Sequence, residues 1–175
     1  LIIREEISED SFGIQKLLKE PKGRIFTGGV KKLTIDEIKD RIKERKKLFS
    51  TDFEEIEKSK KNCIFNVIKN DTAQFVGYCG FQFCTHINKV EICYGFLQQF
   101  WNTGIGYEVA DNLLKFGFNQ TNMKEVFAAV NPKNVASEKI LQKIGMKCIK
   151  KIPWPEQGMV NQYEITKNEY IKMSI

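Results

Sequence analysis

The chain has 175 residues, 42% of them hydrophobic and 29% charged, with a net charge of +6, which is enough for one domain with a sizeable core. No apolar run approaches the roughly 20 residues that a membrane helix needs, and the positive excess lies partly between Lys31 and Lys61, where both signs interleave as on a solvated face. Nucleic acid is a disfavoured partner because no basic stripe carries aromatics, and a metal centre is disfavoured because His86 is the only histidine.

Taken in chain order, "LIIRE" reads as a short strand, and "SEDSFGIQKLLKE" as a helix with Ile14, Leu17 and Leu18 at helical spacing. "PKGRIFTGGVKKL", with Pro21, Gly23, Gly28 and Gly29, reads as a loop. Thr34 and Glu37 have capping-box spacing at the head of a helix whose Ile35, Ile38, Ile42 and Phe49 share a face. After Asn62, "CIFNVIK", "FVGYCGFQF" and "KVEICYGFL" are rich in β-branched and aromatic residues, with turns at Asn70-Asp71 and near Asn88. They predict an antiparallel meander. A helix follows with Ile105, Val109, Leu113 and Phe116 in register, then the short buried strand "EVFAAV" and the turn "NPKN". "VASEKILQKIG" is a helix closed by Gly145, and "MKCIKKI", the turn "PWPEQG" and "QYEITKNEYI" form a last hairpin. The order β-α-α-βββ-α-β-α-ββ predicts a single α+β domain over residues 1–175 with one mixed sheet.

The five cysteines, Cys63, Cys79, Cys84, Cys93 and Cys148, are odd in number and form no C-x-x-C pair. With no secretory signal in view, they read as reduced thiols in a cytoplasmic protein.

The stretch "FWNTGIGYEVA" places Asn102, Thr103, Gly104 and Gly106 between a strand and a helix. Small residues before a helix N-terminus let a phosphate approach free N–H groups and the positive end of the helix dipole. The stretch has neither the G-x-G-x-x-G spacing of a dinucleotide fold nor the ending of a Walker loop. By itself it is a weak signal and reads first as a tight strand-to-helix connection.

Its neighbours add to that reading. "VEICYGFLQQFWNTGIGYEVADNLLKFGF", followed by "VFAAVNPKNVASEKILQKIGMK", resembles the GCN5-related N-acetyltransferase (GNAT) superfamily, most closely its RimJ/RimL-like branch. Glu91, Tyr94, Phe100, Trp101, Gly104, Gly106, Glu108, Asn134, Ser137, Lys143, Gly145 and Met146 fall in register with that family's motifs. The resemblance implies a mixed, mostly antiparallel sheet flanked by helices, with a splayed central strand pair holding acetyl-CoA as co-substrate and no metal. It implies that the loop of Trp101, Asn102, Thr103, Gly104, Ile105, Gly106 and Tyr107 receives the pyrophosphate. It further implies a bulge at Phe96 and Leu97 whose backbone pairs with the pantetheine arm. Asn134 is either a contact of that arm or the N-cap of the next helix. Two departures stand out. Trp101 occupies the Gln/Arg position of the wider superfamily, and Asn102 replaces the first loop glycine, where a positive φ would be tolerated.

By the same resemblance Glu91 is the candidate base, and Ser137 the hydroxyl that serves the leaving thiolate, because Leu141 stands where many members carry a tyrosine. Tyr94 and Tyr107 are reserve donors. Glu108 reads as a structural acid at a helix start. The expected acceptor is a primary amine, favouring a protein N-terminal α-amine. A small amine such as an amino sugar, polyamine or antibiotic is the alternative, and a non-catalytic acyl-CoA-binding module the rival. Acceptor-facing loops are expected at "PKGRIFTGGVKK" and "PWPEQGMVN". No membrane is implied, and the oligomeric state is open, a homodimer included.

Overall fold

The computed structural model describes residues 1–27 and 29–173; Gly28 of the predicted loop lies outside them. Among the described residues, seven strands make one sheet in the order β1-β2-β3-β4-β5-β7-β6. The strands are β1 (Ile2–Glu5), β2 (Asn62–Ile68), β3 (Phe75–Cys84), β4 (Lys89–Phe96), β5 (Glu125–Val130), β6 (Lys147–Trp154) and β7 (Gly158–Thr166). The helices are α1 (Ser11–Lys19), α2 (Pro21–Arg24), α3 (Ile35–Lys47), α4 (Phe53–Ser59), α5 (Ile105–Gln120), α6 (Val135–Lys143) and α7 (Lys167–Met173). The predicted meander is β2-β3-β4, antiparallel throughout.

The local signals fold as chemistry dictates. Thr34 Oγ1 accepts from the Glu37 N–H at 3.2 Å and Glu37 Oε2 accepts from the Thr34 N–H at 2.7 Å, which closes the capping box of α3. Past α6, Gly145 takes a φ of +89°. Its N–H reaches Gln142 O at 3.0 Å and that of Met146 reaches Leu141 O at 2.9 Å, so the orphan carbonyls are capped.

Three elements differ from the sequence reading. The predicted loop after α1 contains α2, with Pro21 in the first turn where its missing N–H costs nothing. The charged run hides α4: Asp52 Oδ1 accepts from the N–H groups of Glu54 and Glu55, and the helix buries Phe53 and Ile56. The last strand stops at Thr166 because "TKNE" is itself a capping box. Thr166 and Glu169 exchange hydrogen bonds at 3.0 and 3.3 Å, starting α7.

The main core lies on one face of the sheet, where Val109, Leu113, Leu114 and Phe118 of α5 pack on Cys79 and Phe81 of β3 and on Val126 and Ile165. On the other face Ile14 of α1 and Ile38 and Ile42 of α3 pack together with Phe75 of β3. Two ion pairs tie that second layer down. Arg4 holds Asp10 through both carboxylate oxygens at 2.8 Å, and Arg45 of α3 holds the buried Glu6 at 2.7 and 2.8 Å.

One junction positions the site. β4 and β5 are parallel, and their pairing consists of a single register, Glu91 opposite Phe127. Beyond that pair the strands diverge toward Phe96 and Val130, so the central strand pair is splayed. The expected bulge at Phe96 and Leu97 is not there. The β3–β4 register runs unbroken from Cys84–Lys89 to Gly77–Phe96, and the Leu97 N–H bonds Val76 O at 2.9 Å. The gap comes from divergence between β4 and β5, and Leu97, 2% exposed, is committed to the core.

Candidate active site

The diverging strands open into a groove of about 640 Å³. Its floor is the sheet face carrying Asn66, Tyr78, Gln82, Glu91 and Cys93, and its wall on the α1–α3 side includes Arg24, Phe26, Thr27 and Lys31. Trp154 to Gln157 of the β6–β7 turn line the opposite side. Both loops expected to face an acceptor therefore border one cavity. His86 steadies the second: its Nε2 donates to Pro153 O at 3.0 Å and its ring meets Trp154 edge-on at 5.5 Å. At the far end, Tyr94, Asn134, Ser137 and Leu141 line the same groove, so Glu91 and Ser137 are brought to one space.

Glu91 stands at the vertex of the gap, half-buried on the groove floor. Burial raises its carboxyl above the ordinary glutamate range, while a hydrogen bond from Gln82 Nε2 at 3.0 Å and the Ala129 backbone N–H pull the other way. A carboxylate with a raised pKa and an open side is suited to accept a proton near neutrality. Cys93, next on the same face, is held in its thiol form by burial first and by Glu91 second, its Sγ donating to Gly80 O at 3.7 Å. The other buried thiols agree; burial pushes Cys63 up to about 12. All five cysteines are free.

Next along β4, the Tyr94 hydroxyl is buried and has no hydrogen-bond partner among the described residues. Its pKa is raised by burial; Ser137 is close enough to bias it downward but is not in hydrogen-bonding geometry. An orphan hydroxyl of this kind, buried where two strands part, is a group waiting for an acceptor. Asn134 caps α6: its Oδ1 accepts from the Ser137 N–H at 3.3 Å. The same residue lines the groove.

The loop after β4 leads to α5 with its backbone donors unsatisfied. Gly104 is the N-cap at φ +86° and no side chain caps the helix. The Thr103 hydroxyl donates instead to Phe100 O at 2.7 Å. The first intrahelical bond is that of the Glu108 N–H to Gly104 O, so the preceding amides, Gly106 and Tyr107 included, have no intrahelical acceptor. Asn102 has the positive φ, +60°, that its place in the loop suggested. The Trp101 indole N–H donates to Phe96 O at 2.9 Å, pinning the loop to the end of β4. Gly106 also meets a packing need. A Cβ there would stand 2.7 Å from Ile140 Cδ1, so its missing side chain lets α5 and α6 approach. Lys143 of α6 lies 3.9 Å over the Tyr107 ring, adding a cation beside that helix start. Glu108 is exposed on the first turn of α5.

Tyr78 was missed in the sequence. It faces Gly95 across the β3–β4 pair, and a Cβ on Gly95 would meet its ring at 2.7 Å and its hydroxyl at 3.3 Å. The ring therefore lies across β4 beside the gap. The signal available was the glycine: a strand interior rarely carries one unless something presses on it.

Residues 1–147 match the family model described as acetyltransferase (GNAT) domain. The uncharacterized N-acetyltransferase p20 of Bacillus licheniformis is 28% identical over 108 residues, which are 61% of this chain and 56% of that protein. The chain spans about half the length of the curated relatives it matches. Among solved structures, a spermidine N-acetyltransferase SpeG chimera from Vibrio cholerae and hSSAT has a TM-score of 0.75 at 13% identity, with 97% of each chain covered. The structure of yncA from Salmonella typhimurium with its cofactor acetyl-CoA has a TM-score of 0.69 at 12% identity, covering 95% of this chain and 93% of that one. At these identities the structural likeness concerns the fold.

Proposed function

The chain belongs to the acetyltransferase (GNAT) family, and from that premise we propose that it transfers the acetyl group of acetyl-CoA to a primary amine held in the groove. The observation that carries this reading is the vertex of the β4–β5 gap, where a half-buried carboxylate with a raised pKa faces a cavity that also holds an unpartnered hydroxyl. Acetyl-CoA, when bound, supplies an acyl thioester activated toward amines. The residues here fit it. The uncapped start of α5, from Gly104 to Tyr107, offers N–H groups and a positive dipole end to the pyrophosphate, with Asn102 and Thr103 shaping the approach and Trp101 fixing the loop. Asn134, on the groove, is assigned to the pantetheine arm together with the backbone at Phe96 and Leu97.

Each chain residue then has a proton to manage. Glu91 accepts one from the acceptor ammonium, directly or through a water. Tyr94 Oη or Ser137 Oγ donates a hydrogen bond to the departing sulfur. The thiol state of Cys93 argues for direct transfer with both substrates bound rather than through an acyl-cysteine. Neutralising a Lys-like amine at pH 7.4 costs about 4 kcal/mol, and an α-amine well under 1 kcal/mol. An α-amine therefore asks least of a carboxylate base. The finer reading is a RimJ/RimL-like enzyme of the cytoplasm acting on an α-amine, that of a protein N-terminus included, supported by the motif register and the free thiols.

The test is a panel of amines and N-terminal peptides incubated with acetyl-CoA, read by free-thiol release. Turnover with at least one α-amine is expected. Tight acetyl-CoA binding without turnover on any amine means an acyl-CoA-binding module instead, and failure to bind acetyl-CoA defeats both readings.

A further inference from the structure

The groove holds a charge that no acid among the described residues neutralises. Arg24 is 7% exposed, a degree of burial at which arginine is almost always paired with an acid. Here its Nε donates to Gly29 O at 3.0 Å and its Nη2 to Thr27 O. Those are neutral carbonyls that close the loop, and Nη1 has no partner among the described residues. Lys31 and Arg41 line the same groove, and neither has a carboxylate within ion-pair distance among the described residues. Arg45, the remaining groove arginine, is occupied by Glu6. The acids of the groove are Glu6, already paired, Glu91 at the vertex and Glu156 on the opposite turn. The α1–α3 wall is thus cationic, and its most buried cation is unmatched.

Tyr78 relates that wall to the vertex. Its ring crosses Gly95, and Arg24, Tyr78 and Glu91 all line the one groove. The tyrosine and the base therefore share one floor, on the sheet face opposite the α5 core, and the cation borders the same cavity.

We propose that the acceptor is a primary amine carrying a carboxylate a few bonds away, with the carboxylate held by Arg24 and drawn in by Arg41 and Lys31, and the amine passed along Tyr78 to Glu91. Two sources share this chemistry, a free amino acid and a peptide whose first residues are acidic. A polyamine would set like charges against this wall, and a neutral peptide N-terminus would leave Arg24 unmatched. The inference rests on the acetyl-transfer reading above and specifies its acceptor.

The experiment compares free amino acids with their amides, acidic with neutral N-terminal peptides, and spermidine, by thiol release. In parallel, the shift in melting temperature caused by each acid alone, without acetyl-CoA, reports binding apart from turnover. Acids are expected to exceed their amides and spermidine in kcat/KM by at least about tenfold, the scale of one satisfied buried charge. They are also expected to raise the melting temperature where the amides do not. Arg24→Gln should erase the preference through KM. Arg41→Gln, on the exposed face of α3 where folding is not at stake, should reduce it in the same direction, and Arg24→Lys should retain part of it. Equal use of acids and amides, or a preference for spermidine, overturns this acceptor while leaving acetyl transfer intact. So does a fall in acetyl-CoA affinity in the Arg24 and Arg41 variants with acceptor KM unchanged, because the wall would then serve the cofactor. Absence of turnover with every amine removes the acetyl-transfer reading and this inference with it.

Discussion

Gln82 Nε2 donates to Glu91 Oε2 at 3.0 Å across the β3–β4 pair, so the carboxylate at the strand junction is steadied by a neutral donor, with no cation beside it among the described residues. A lysine or arginine there would drive its pKa down and spoil it as a base. Burial alone keeps it high.

Glu91→Gln should lower kcat/KM at neutral pH by about ten- to a hundredfold, the low end of general-base effects. The loss should shrink as pH rises and be larger for a Lys-like acceptor than for an α-amine. The same substitution should raise Tm at pH 7. An acid whose folded pKa lies above its unfolded one binds the extra proton in the native state, so its contribution to stability falls as pH rises through that window. Wild type and variant should converge below the ordinary glutamate range. Full activity with both acceptor types, or a lower Tm at pH 7, would reduce Glu91 to a surface strand residue.

Gln82→Leu removes one group that lowers the Glu91 pKa, so the acid limb of the kcat/KM profile should move to higher pH. An unmoved limb means that the limb does not report Glu91.

Tyr94→Phe and Ser137→Ala separate the two candidate donors. Deleting a buried, unpartnered hydroxyl relieves a desolvation cost of about 1–3 kcal/mol, so Tyr94→Phe should hold or raise Tm while kcat falls if Tyr94 serves the sulfur. Ser137→Ala should lower kcat more than it weakens CoA binding, because the hydrogen bond matters most as charge develops on sulfur. Unchanged kcat in both variants assigns the proton to solvent.

At the loop, Gly104→Val should weaken CoA at least tenfold and cost about 1–2 kcal/mol in stability, since its φ of +86° is left-handed. Asn102→Gly, at φ +60°, should be tolerated in both respects. Calorimetric titration of CoA checks the pair; undiminished affinity in a folded Gly104→Val protein would remove the anion site from this helix. Gly106→Ala tests packing instead. Its Cβ would meet only the end of the Ile140 side chain, which can turn aside, and alanine favours the helix, so Tm should hold or rise whether or not CoA is present.

Arg45→Gln should destabilise by about 1–3 kcal/mol, below the usual cost of breaking a buried pair because Arg45 is partly screened by solvent. Burial already raises the Glu6 pKa, with Arg45 opposing it. Without Arg45 that pKa rises further, so the Tm deficit should grow with pH and narrow on acidification. A deficit independent of pH would mean lost packing rather than a stranded carboxylate.

How much of this was legible depends on the range of each signal. The capping box at Thr34, the C-terminal glycine at Gly145 and the meander were readable because local chemistry decides them. The box at Thr166 was equally readable, but the alternating pattern of the strand before it masked the change. Glu91 and Ser137 came from motif register, and the structure places both on the same groove. Tyr78 and Arg24 were not legible. Their roles come from what the sheet and the α1–α2 segment bring beside them, and no spacing in the chain records that. The bulge at Phe96 and Leu97 failed for the same reason, because the gap belongs to two strands and was sought in one.

Since β4 and β5 share one register pair, the seven strands are mechanically two panels, β1 to β4 and β5 to β7, hinged at Glu91 and Phe127. Packing from α5 crosses the seam on one face, for its core reaches both panels. On the groove face Lys89 of β4 crosses it to Glu125 of β5 and Glu164 of β7, at 3.1 and 2.9 Å. The seam is thus fastened by side chains where a continuous backbone ladder would otherwise hold it, and the domain's stiffness across its middle depends on those few contacts.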